Sequence, residues 1–259
     1  MRLKGKTALI SGAGRDSGRA IALTFAREGA DLILIAQKRG DTLNQIAKEC
    51  ESLGVQALPL LGDVSKEDEV NRMVQLGLQR FGKVDVLVSV AAIRPLKVAW
   101  EYTSEEWLQT FGLNVHATFY LAKALVPGMI ERKTGSIIAL GGSSQVTVSS
   151  GHTAAVVASK MGLHGLIKSL AQALAPHGIR ANLVGLANIE NKDRLNPELY
   201  KGMSDAVRTT MDNPGRAKLL PMKRKATHQE VANVVLFLAS DESSYVTGDR
   251  ILCTGGMQV

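Results

Sequence analysis

The chain has few of the residues on which many binding and structural proteins depend. Aromatic residues make up only 4% of its 259 residues, too few for a protein that stacks nucleic-acid bases. Its two cysteines, Cys50 and Cys253, cannot build a disulfide framework, and no cluster of His, Cys, Asp and Glu indicates a metal site. There is no apolar run of membrane-spanning length and no signal-peptide core before the first strand-like segment. We therefore expect a soluble cytoplasmic protein that binds neither nucleic acid nor membrane.

The residues that are abundant indicate an α/β protein with a large core. Apolar residues make up 45% of the chain, and the formal net charge is +7. The tightest basic run, Lys223-Arg224-Lys225, is short, and we interpret it as solvated surface. No Pro- or Ser-rich linker divides the sequence, which predicts one domain over residues 1–259.

Short apolar runs alternate with longer segments of helical period, which predicts a single doubly wound, Rossmann-like domain. Its parallel sheet would have about seven strands, with helices on both faces. Three helical segments, residues 19–28, 41–53 and 65–81, each end at a glycine, and Ser65 with Asp68 is a candidate cap for the third. The predicted strands are residues 7–10, 32–36, 57–61, 84–88, 136–140, 180–184 and 250–253.

Residues 186–225 interrupt this alternation. The segment is polar and contains Pro197, Pro214 and Pro221. Long irregular segments in compact domains are commonly functional loops. We predict a substrate lid inserted before the last helix.

A glycine-rich turn follows the first predicted strand and precedes a helix. Gly12, Gly14 and Gly18 lie in this turn. Such a turn brings phosphate groups close to backbone N–H groups at the positive end of the helix. Its position in a strand–helix–strand unit therefore predicts a nucleotide site.

Along essentially its whole length, the chain resembles the short-chain dehydrogenase/reductase family. Gly12 and Gly18 match the glycine pattern of that family, and Asp16 occupies the position of its middle glycine. The other matching positions are Asp63-Val64, which resembles the adenine-contacting pair, Asn114, Ser143, Lys160 with the residues that follow it, and Gly248 with Gly255-Gly256. The resemblance implies a nicotinamide dinucleotide cofactor and chemistry on the carbonyl/alcohol pair of a small molecule.

The choice between NADP and NAD depends on the residues after the second strand. NAD enzymes usually carry an acid there to hold the ribose hydroxyls. This chain has Gln37-Lys38-Arg39 there, and Arg15 in the glycine-rich turn. The basic groups favour the 2′-phosphate of NADP, with NAD still possible. The alternative interpretation is that Lys38 and Arg39 form a solvated turn.

Asp16 is expected to weaken nucleotide binding. A carboxylate about 6 Å from a phosphate charge would repel it by roughly 2–3 kcal/mol at an effective dielectric near 20. Aspartate tolerates the left-handed backbone of a glycine position, and it can turn away to cap the following helix. Arg15 and Arg19 could also neutralise its charge.

The resemblance assigns catalytic roles to Asn114, Ser143 and Lys160, and it places Val156 where the family carries its tyrosine acid. Valine cannot donate a proton, and losing a positioned general acid typically costs 10²–10⁴-fold in rate. His152, four residues before Val156, is a candidate substitute, although a lone loop histidine is also a common surface group. Lys160 itself could act as an acid or form an imine.

Two further departures lie near the expected nicotinamide position. Ser89-Val90-Ala91-Ala92 replaces an Asn-Asn-Ala-Gly motif, and Leu186-Ala187 replaces Pro-Gly. Three functions stay open: an NADP-dependent oxidoreductase, a lyase or isomerase of the same fold, and a catalytically silent nucleotide-binding subunit. Small residues on the segments 107–130 and 153–175 predict a homodimer or homotetramer that forms through these helices.

Overall fold

The computed structural model describes residues 1–142, 151–190 and 220–257. These residues contain one sheet of seven parallel strands in the order β3-β2-β1-β4-β5-β6-β7. This confirms the predicted single Rossmann-like domain. The strands are β1 (Thr7–Ser11), β2 (Asp31–Ala36), β3 (Ala57–Leu61), β4 (Val86–Ser89), β5 (Gly135–Leu140), β6 (Ile179–Leu186) and β7 (Arg250–Cys253).

Helices connect the strands and cover both faces of the sheet. In the described part of the chain, α4, a π-helical turn at Gly112–His116 and α5 follow one another without a break. Among the helices of the described ranges, none has the length and apolar character needed to span a membrane. The α-helices are α1 (Asp16–Arg27), α2 (Gly40–Glu51), α3 (Glu67–Phe81), α4 (Ser104–Phe111), α5 (Ala117–Arg132), α6 (Ala154–Leu174) and α7 (His228–Ala239).

The core consists of two layers, one on each face of the sheet. Alternate residues of β2 belong to different layers: Leu32 and Leu34 pack with α1, α2 and α7, whereas Ile33 and Ile35 pack with α3, α5 and α6. All four side chains are at most 1% exposed. A strand buried on both faces needs apolar residues at every position. Continuous apolar runs in the sequence therefore predicted the strands.

Several predicted boundaries were wrong by a few residues. Helix α1 begins at Asp16, three residues before the predicted start, so the end of the glycine-rich turn is already helical. The predicted cap of α3 was wrong: Lys66 precedes the helix without a side-chain cap. Ser65 instead donates both its N–H and its hydroxyl to Asp63 Oδ1, the hydroxyl at 2.7 Å.

The predicted lid, residues 186–225, lies mostly outside the described residues. Its first residue, Leu186, is the last residue of β6, residues 187–190 follow that strand, and residues 220–225 precede α7. Ser143 also lies outside the described residues. The lid and the role of Ser143 stay predictions.

Candidate functional site

A cavity of about 800 Å³ lies at the edge of the sheet where the strands end. Because all strands are parallel, their carboxyl ends share this edge, and ligands of open α/β sheets bind there. The stretches that line the cavity follow β1, β2, β3, β4, β5 and β6, and α6 contributes Val156 and Lys160. The lining residues with ionisable side chains are Arg15, Asp16, Lys38, Arg39, Asp63, Arg94, Lys160, Glu190 and His228.

The glycine-rich turn forms one end of the cavity. Gly12, Gly14 and Gly18 all line it. Gly12 has φ +70°, and a Cβ there would lie 2.8 Å from the backbone nitrogen of Ala91, so only glycine fits between β1 and the loop after β4. The turn leads directly into α1, whose amino end attracts anions.

Asp16 adopts the left-handed backbone conformation expected at a glycine position, with φ 49°. Its carboxylate does not cap α1. Oδ1 instead lies 3.5 Å from Nε2 of His228, and Oδ2 lies 3.6 Å from Nε of Arg15. The expectation that Arg19 would neutralise Asp16 was wrong, because Arg19 pairs with Glu49 at 2.6 Å. Arg15 therefore compensates part of the charge of Asp16, and the imidazole of His228 lies on the other side of the carboxylate.

The residues after β2 form the second part of the cavity wall. Lys38 and Arg39 are exposed side chains on this wall. Arg39 takes a left-handed backbone conformation at φ 66° and directly precedes α2. Two neighbouring cations at the end of β2 make this end of the cavity attractive to anions.

Asp63 follows β3 and is held by three donors. Its Oδ1 accepts hydrogen bonds from the N–H and the hydroxyl of Ser65, and its Oδ2 accepts one from the Gln37 amide at 2.9 Å. Burial alone would raise the pKa of this carboxyl, but the hydrogen bonds from Ser65 and Gln37 outweigh it and lower the pKa below its usual value. Val64 is buried beside it and lines the cavity. The pair thus presents one fixed carboxylate and one apolar side chain.

Lys160 lies at the opposite end of the cavity. Its side chain is only 7% exposed, and its Nζ donates a hydrogen bond to the carbonyl oxygen of Leu140 at 2.8 Å. Burial lowers the pKa of the Lys160 amine to about 8. Val156, one helical turn earlier, is 6% exposed and also lines the cavity. This end therefore pairs a titratable amine with an apolar side chain.

Asn114 is buried in the π-helical turn between α4 and α5. Its Oδ1 accepts from the N–H of Ile93 at 2.9 Å, and its Nδ2 donates to the carbonyl of Ile93 at 3.1 Å. Nδ2 also donates to the hydroxyl of Ser159 at 3.0 Å. Asn114 does not line the cavity within the described residues. Its side chain fastens the loop after β4 to α6, next to Lys160.

The other candidate proton donor, His152, lies just before α6. Its carbonyl oxygen accepts a hydrogen bond from the backbone N–H of Lys97 at 3.0 Å. Of the described residues, those that line the cavity include Val156 and Lys160 but not His152. Of these two side chains, Lys160 is therefore the one that borders the cavity within the described residues.

The two departures from the family motifs lie on the cavity wall, and the first of them adjoins the glycine-rich turn through Ala91. Ser89 shares a hydrogen bond with Thr118 at 2.7 Å, so it ties the end of β4 to α5. The Ser11 hydroxyl accepts from the N–H of Val90 at 3.2 Å. Leu186 and Ala187 continue from β6 and line the cavity. These two stretches therefore add the apolar side chains of Val90, Leu186 and Ala187 to the cavity wall.

Sequence reasoning missed three charged groups of the cavity: Arg94, Glu190 and His228. His228 is the first residue of α7, and its Nδ1 lies 2.9 Å from the hydroxyl of Ser17, 211 positions earlier in the chain. No local pattern signals a contact over such a separation. Arg94 and Glu190 lie on loops whose course depends on tertiary packing.

Sheet order, glycine-rich turn and cavity together define a nucleotide-binding α/β protein, and comparisons with known proteins specify the family. The model of the enoyl-(acyl carrier protein) reductase family matches residues 12–258. The chain is 34% identical over 259 residues, all of both chains, to the 3-oxoacyl-[acyl-carrier-protein] reductase of Thermotoga maritima. It is 33% identical to the L-rhamnose 1-dehydrogenase (NAD(P)(+)) of Sphingomonas sp. over 260 residues, covering 99% of this chain and 98% of the relative.

A solved structure agrees with these relatives. NAD⁺-bound xylitol dehydrogenase superposes with a TM-score of 0.90 at 27% identity, over 99% of this chain and 100% of the other. The chain belongs to the short-chain dehydrogenase/reductase family of oxidoreductases.

Proposed function

We propose that this protein is an NADP(H)-dependent oxidoreductase that interconverts the carbonyl and alcohol forms of a small molecule. The observation that carries the proposal is the single cavity that joins the glycine-rich turn to the buried amine of Lys160. About 800 Å³ is within the usual size range of a ligand pocket. Relatives across the whole chain include a reductase and a dehydrogenase of different substrates.

The charges of the cavity fit a phosphate-bearing dinucleotide. The described lining contains the cations Arg15, Lys38, Arg39, Arg94 and Lys160 and the anions Asp16, Asp63 and Glu190. Arg15 and the two residues after β2 would hold the phosphates, and the exposed pair there favours a 2′-phosphate over a free ribose hydroxyl. Asp63 and Val64 would contact the adenine. Gly12, Gly14 and Gly18 would let the pyrophosphate approach the backbone.

In this proposal Lys160 provides the proton. A bound nicotinamide supplies or accepts the hydride. Val156 has no donor, whereas the Lys160 ammonium carries N–H donors, one of which bonds to the carbonyl oxygen of Leu140, and its side chain lines the cavity where a substrate carbonyl would lie. A pKa of about 8 leaves both the charged and neutral amine populated near pH 8, which suits reversible proton transfer.

Two other residues that match family positions would assist Lys160 without donating the proton. Asn114 keeps the loop after β4 fixed against α6 through its bonds to Ile93 and Ser159. Ser143 would orient the substrate carbonyl. His152 is the less favoured proton donor, because it does not line the described cavity.

A second function is favoured by one observation, the apolar side chain of Val156 beside the amine. A buried, partly neutral lysine in an apolar environment is suited to imine formation with a carbonyl substrate. A lyase or isomerase that binds nucleotide without hydride transfer, or a silent nucleotide-binding subunit, would also accept valine there.

We further propose association through α4, α5 and α6. Their outward surface carries Trp107, Leu108, Phe119 and Met161, which are between 36% and 63% exposed, and Gly162 and Gly165 are exposed between them. Small residues among large apolar ones allow close helix packing between two copies in a dimer or tetramer. Sedimentation should detect a stable dimer or tetramer at micromolar concentration, and a stable monomer would contradict this.

The function is tested by binding and turnover on the same preparation. Calorimetric titration with NADPH and NADH should show binding of both, tighter for NADPH. A panel of ketones and alcohols should then produce an absorbance change at the nicotinamide band. Binding without turnover would favour the second function, and borohydride trapping of a carbonyl compound on Lys160 would identify the imine route. Absence of nucleotide binding would overturn the proposal.

A further inference from the structure

We propose that His228 is a charge-compensating, positioning residue of the nucleotide site, so that nucleotide affinity rises as its imidazole takes up a proton. This rests on the proposed binding of nucleotide phosphates at the Gly12–Gly18 turn. The family resemblance does not assign a role to this position. The observation is a three-residue contact in which one imidazole joins the acidic side chain of the turn to the start of α7.

Both ring nitrogens of His228 face α1. Nδ1 lies 2.9 Å from the Ser17 hydroxyl, and Nε2 lies 3.5 Å from Oδ1 of Asp16. Because the two partners are consecutive residues at the amino end of α1, the ring is held by both and cannot rotate without losing one contact. The Asp16 and His228 side chains are 31% and 26% exposed, so solvent screens their interaction only partly. All three residues line the cavity.

The charge balance at the turn depends on this ring. A carboxylate beside a phosphate site repels the ligand. A neutral imidazole leaves that charge in place, whereas an imidazolium forms an ion pair with it and adds a cation next to the phosphates. Proton uptake and nucleotide binding must therefore favour each other, because linkage between two ligands is reciprocal. Histidine is the side chain that ordinarily changes charge near neutral pH.

Other charged groups lie on the elements near the ring. Arg15 contributes a positive charge 3.6 Å from Asp16 on the side of the turn. On α7, Glu230 is held by Arg224 at 2.6 Å and by the N–H of Thr227. Glu190 lines the cavity from the loop after β6. The amino end of α7 disfavours a cation, whereas the Asp16 carboxylate beside the ring and phosphates bound at the turn would favour one.

The experiment measures the Kd of NADPH at pH 6.5 and pH 8.5 for the full-length wild type and three variants. His228→Gln keeps a hydrogen-bonding side chain without the titratable ring. Asp16→Asn removes the repelling charge. His177→Gln is the matched control, since His177 is an exposed histidine that does not line the cavity. The titrations of Lys160 and of the 2′-phosphate are common to all four proteins, so the differences between proteins isolate His228.

We expect the wild type and His177→Gln to bind NADPH more tightly at pH 6.5 than at pH 8.5. The pH ratio, defined as the Kd at pH 8.5 divided by the Kd at pH 6.5, should be about threefold to tenfold larger for these two proteins than for His228→Gln. This factor is the range expected of a partly screened ion pair. Asp16→Asn should bind more tightly than the wild type at pH 8.5. Equal pH ratios for the wild type and His228→Gln, both with unchanged melting temperatures, would overturn the inference and leave the proposed function intact. If His228→Gln does not fold, Asp16→Asn decides the question: NADPH binding by this variant at pH 8.5 that is no tighter than that of the wild type would overturn the inference. Failure of the wild type to bind nucleotide at either pH would overturn both proposals.

Discussion

The amine of Lys160 donates a hydrogen bond to the carbonyl oxygen of Leu140, with the two atoms 2.8 Å apart. Leu140 is the last residue of β5, and Lys160 lies in the second turn of α6. The bond therefore joins the carboxyl end of a central strand to a helix, and it holds the amine against the cavity wall. The consequences of this placement for proton transfer and for stability can be measured separately.

We expect the rate of ketone reduction by the wild type to be steady below about pH 8 and to fall above it. Burial lowers the pKa of Lys160 to about 8, and reduction needs the protonated amine. Alcohol oxidation should show the opposite profile, because it needs the neutral amine. The measurement is kcat in both directions from pH 6 to pH 10. A reduction rate that is independent of pH through this window would exclude Lys160 as the acid.

Lys160→Met should abolish this activity and still stabilise the fold. The pKa of Lys160 is lowered to about 8 from its ordinary 10.5, so above pH 8 the unfolded chain binds more protons than the folded one, and the stability of the wild type rises with pH up to about 10.5. Methionine is free of this penalty. Its gain in unfolding free energy should be about 1–3 kcal/mol below pH 8 and shrink as the pH approaches 10.5. Urea unfolding at pH 7 and pH 10 measures the difference, and a less stable variant at pH 7 would show that the hydrogen bond to Leu140 outweighs desolvation.

Val156→Tyr should raise ketone reduction with NADPH by at least about tenfold, well within what a general acid supplies. Residues four apart share a helix face, so the phenol would lie beside the Lys160 ammonium, which favours the phenolate. Val156→Phe is the matched control, since it adds the same ring without the hydroxyl. Equal rates for the two folded, NADPH-binding variants would show that the site does not carry out carbonyl reduction, and the non-redox or silent function would then be preferred.

Replacing both Lys38 and Arg39 by glutamine should weaken NADPH binding by about tenfold and leave NADH binding unchanged. Both side chains are exposed at the cavity wall after β2, where the proposed 2′-phosphate would lie. Lys48→Gln removes an exposed lysine from α2 outside the cavity lining and should affect neither nucleotide. If the double variant loses affinity for NADPH and NADH equally, the two cations act on the shared phosphates and do not select NADP.

Asn114→Ala should reduce the unfolding free energy by about 2–4 kcal/mol, because it leaves the N–H and carbonyl of Ile93 without their amide partners and removes the donor to the Ser159 hydroxyl. Asn233→Ala, at an exposed position of α7, should change it by less than about 0.5 kcal/mol. Denaturant titration of both variants compares them. A loss below 1 kcal/mol for Asn114→Ala would mean that water replaces the amide and that the loop after β4 does not depend on it.

The sheet could be predicted from the sequence because its strands are buried on both faces. In β2 the run Leu32-Ile33-Leu34-Ile35 contributes to both core layers, and a strand buried on both faces needs such a continuous apolar run. Helix starts were harder to predict. Ser65 has a typical capping side chain, yet its hydroxyl donates to Asp63. The sequence pattern does not show which of two nearby partners such a hydroxyl binds.

The site could be predicted only where its residues belong to a local motif. Gly12, Gly18 and Lys160 lie in such motifs and line one cavity. His228 lies in an ordinary helix start, and only the packing of α7 on α1 brings it to Asp16. Asn114 was expected at the reacting centre, but its π-helical turn directs its amide to the backbone of Ile93.

The cavity forms only after β1 has paired with β4, and such parallel pairs between distant parts of the chain form slowly during folding. Ile10 pairs with Val88, 78 positions later, so the chain must close a long loop before the turn at Gly12 meets Ala91. Topologies with such distant parallel pairs fold slowly and expose unpaired strand edges meanwhile. The nucleotide proposed to bind at the turn would bind only after this closure, and mass action would then stabilise the assembled sheet. During synthesis, cofactor supply would thus affect how much of the protein escapes aggregation.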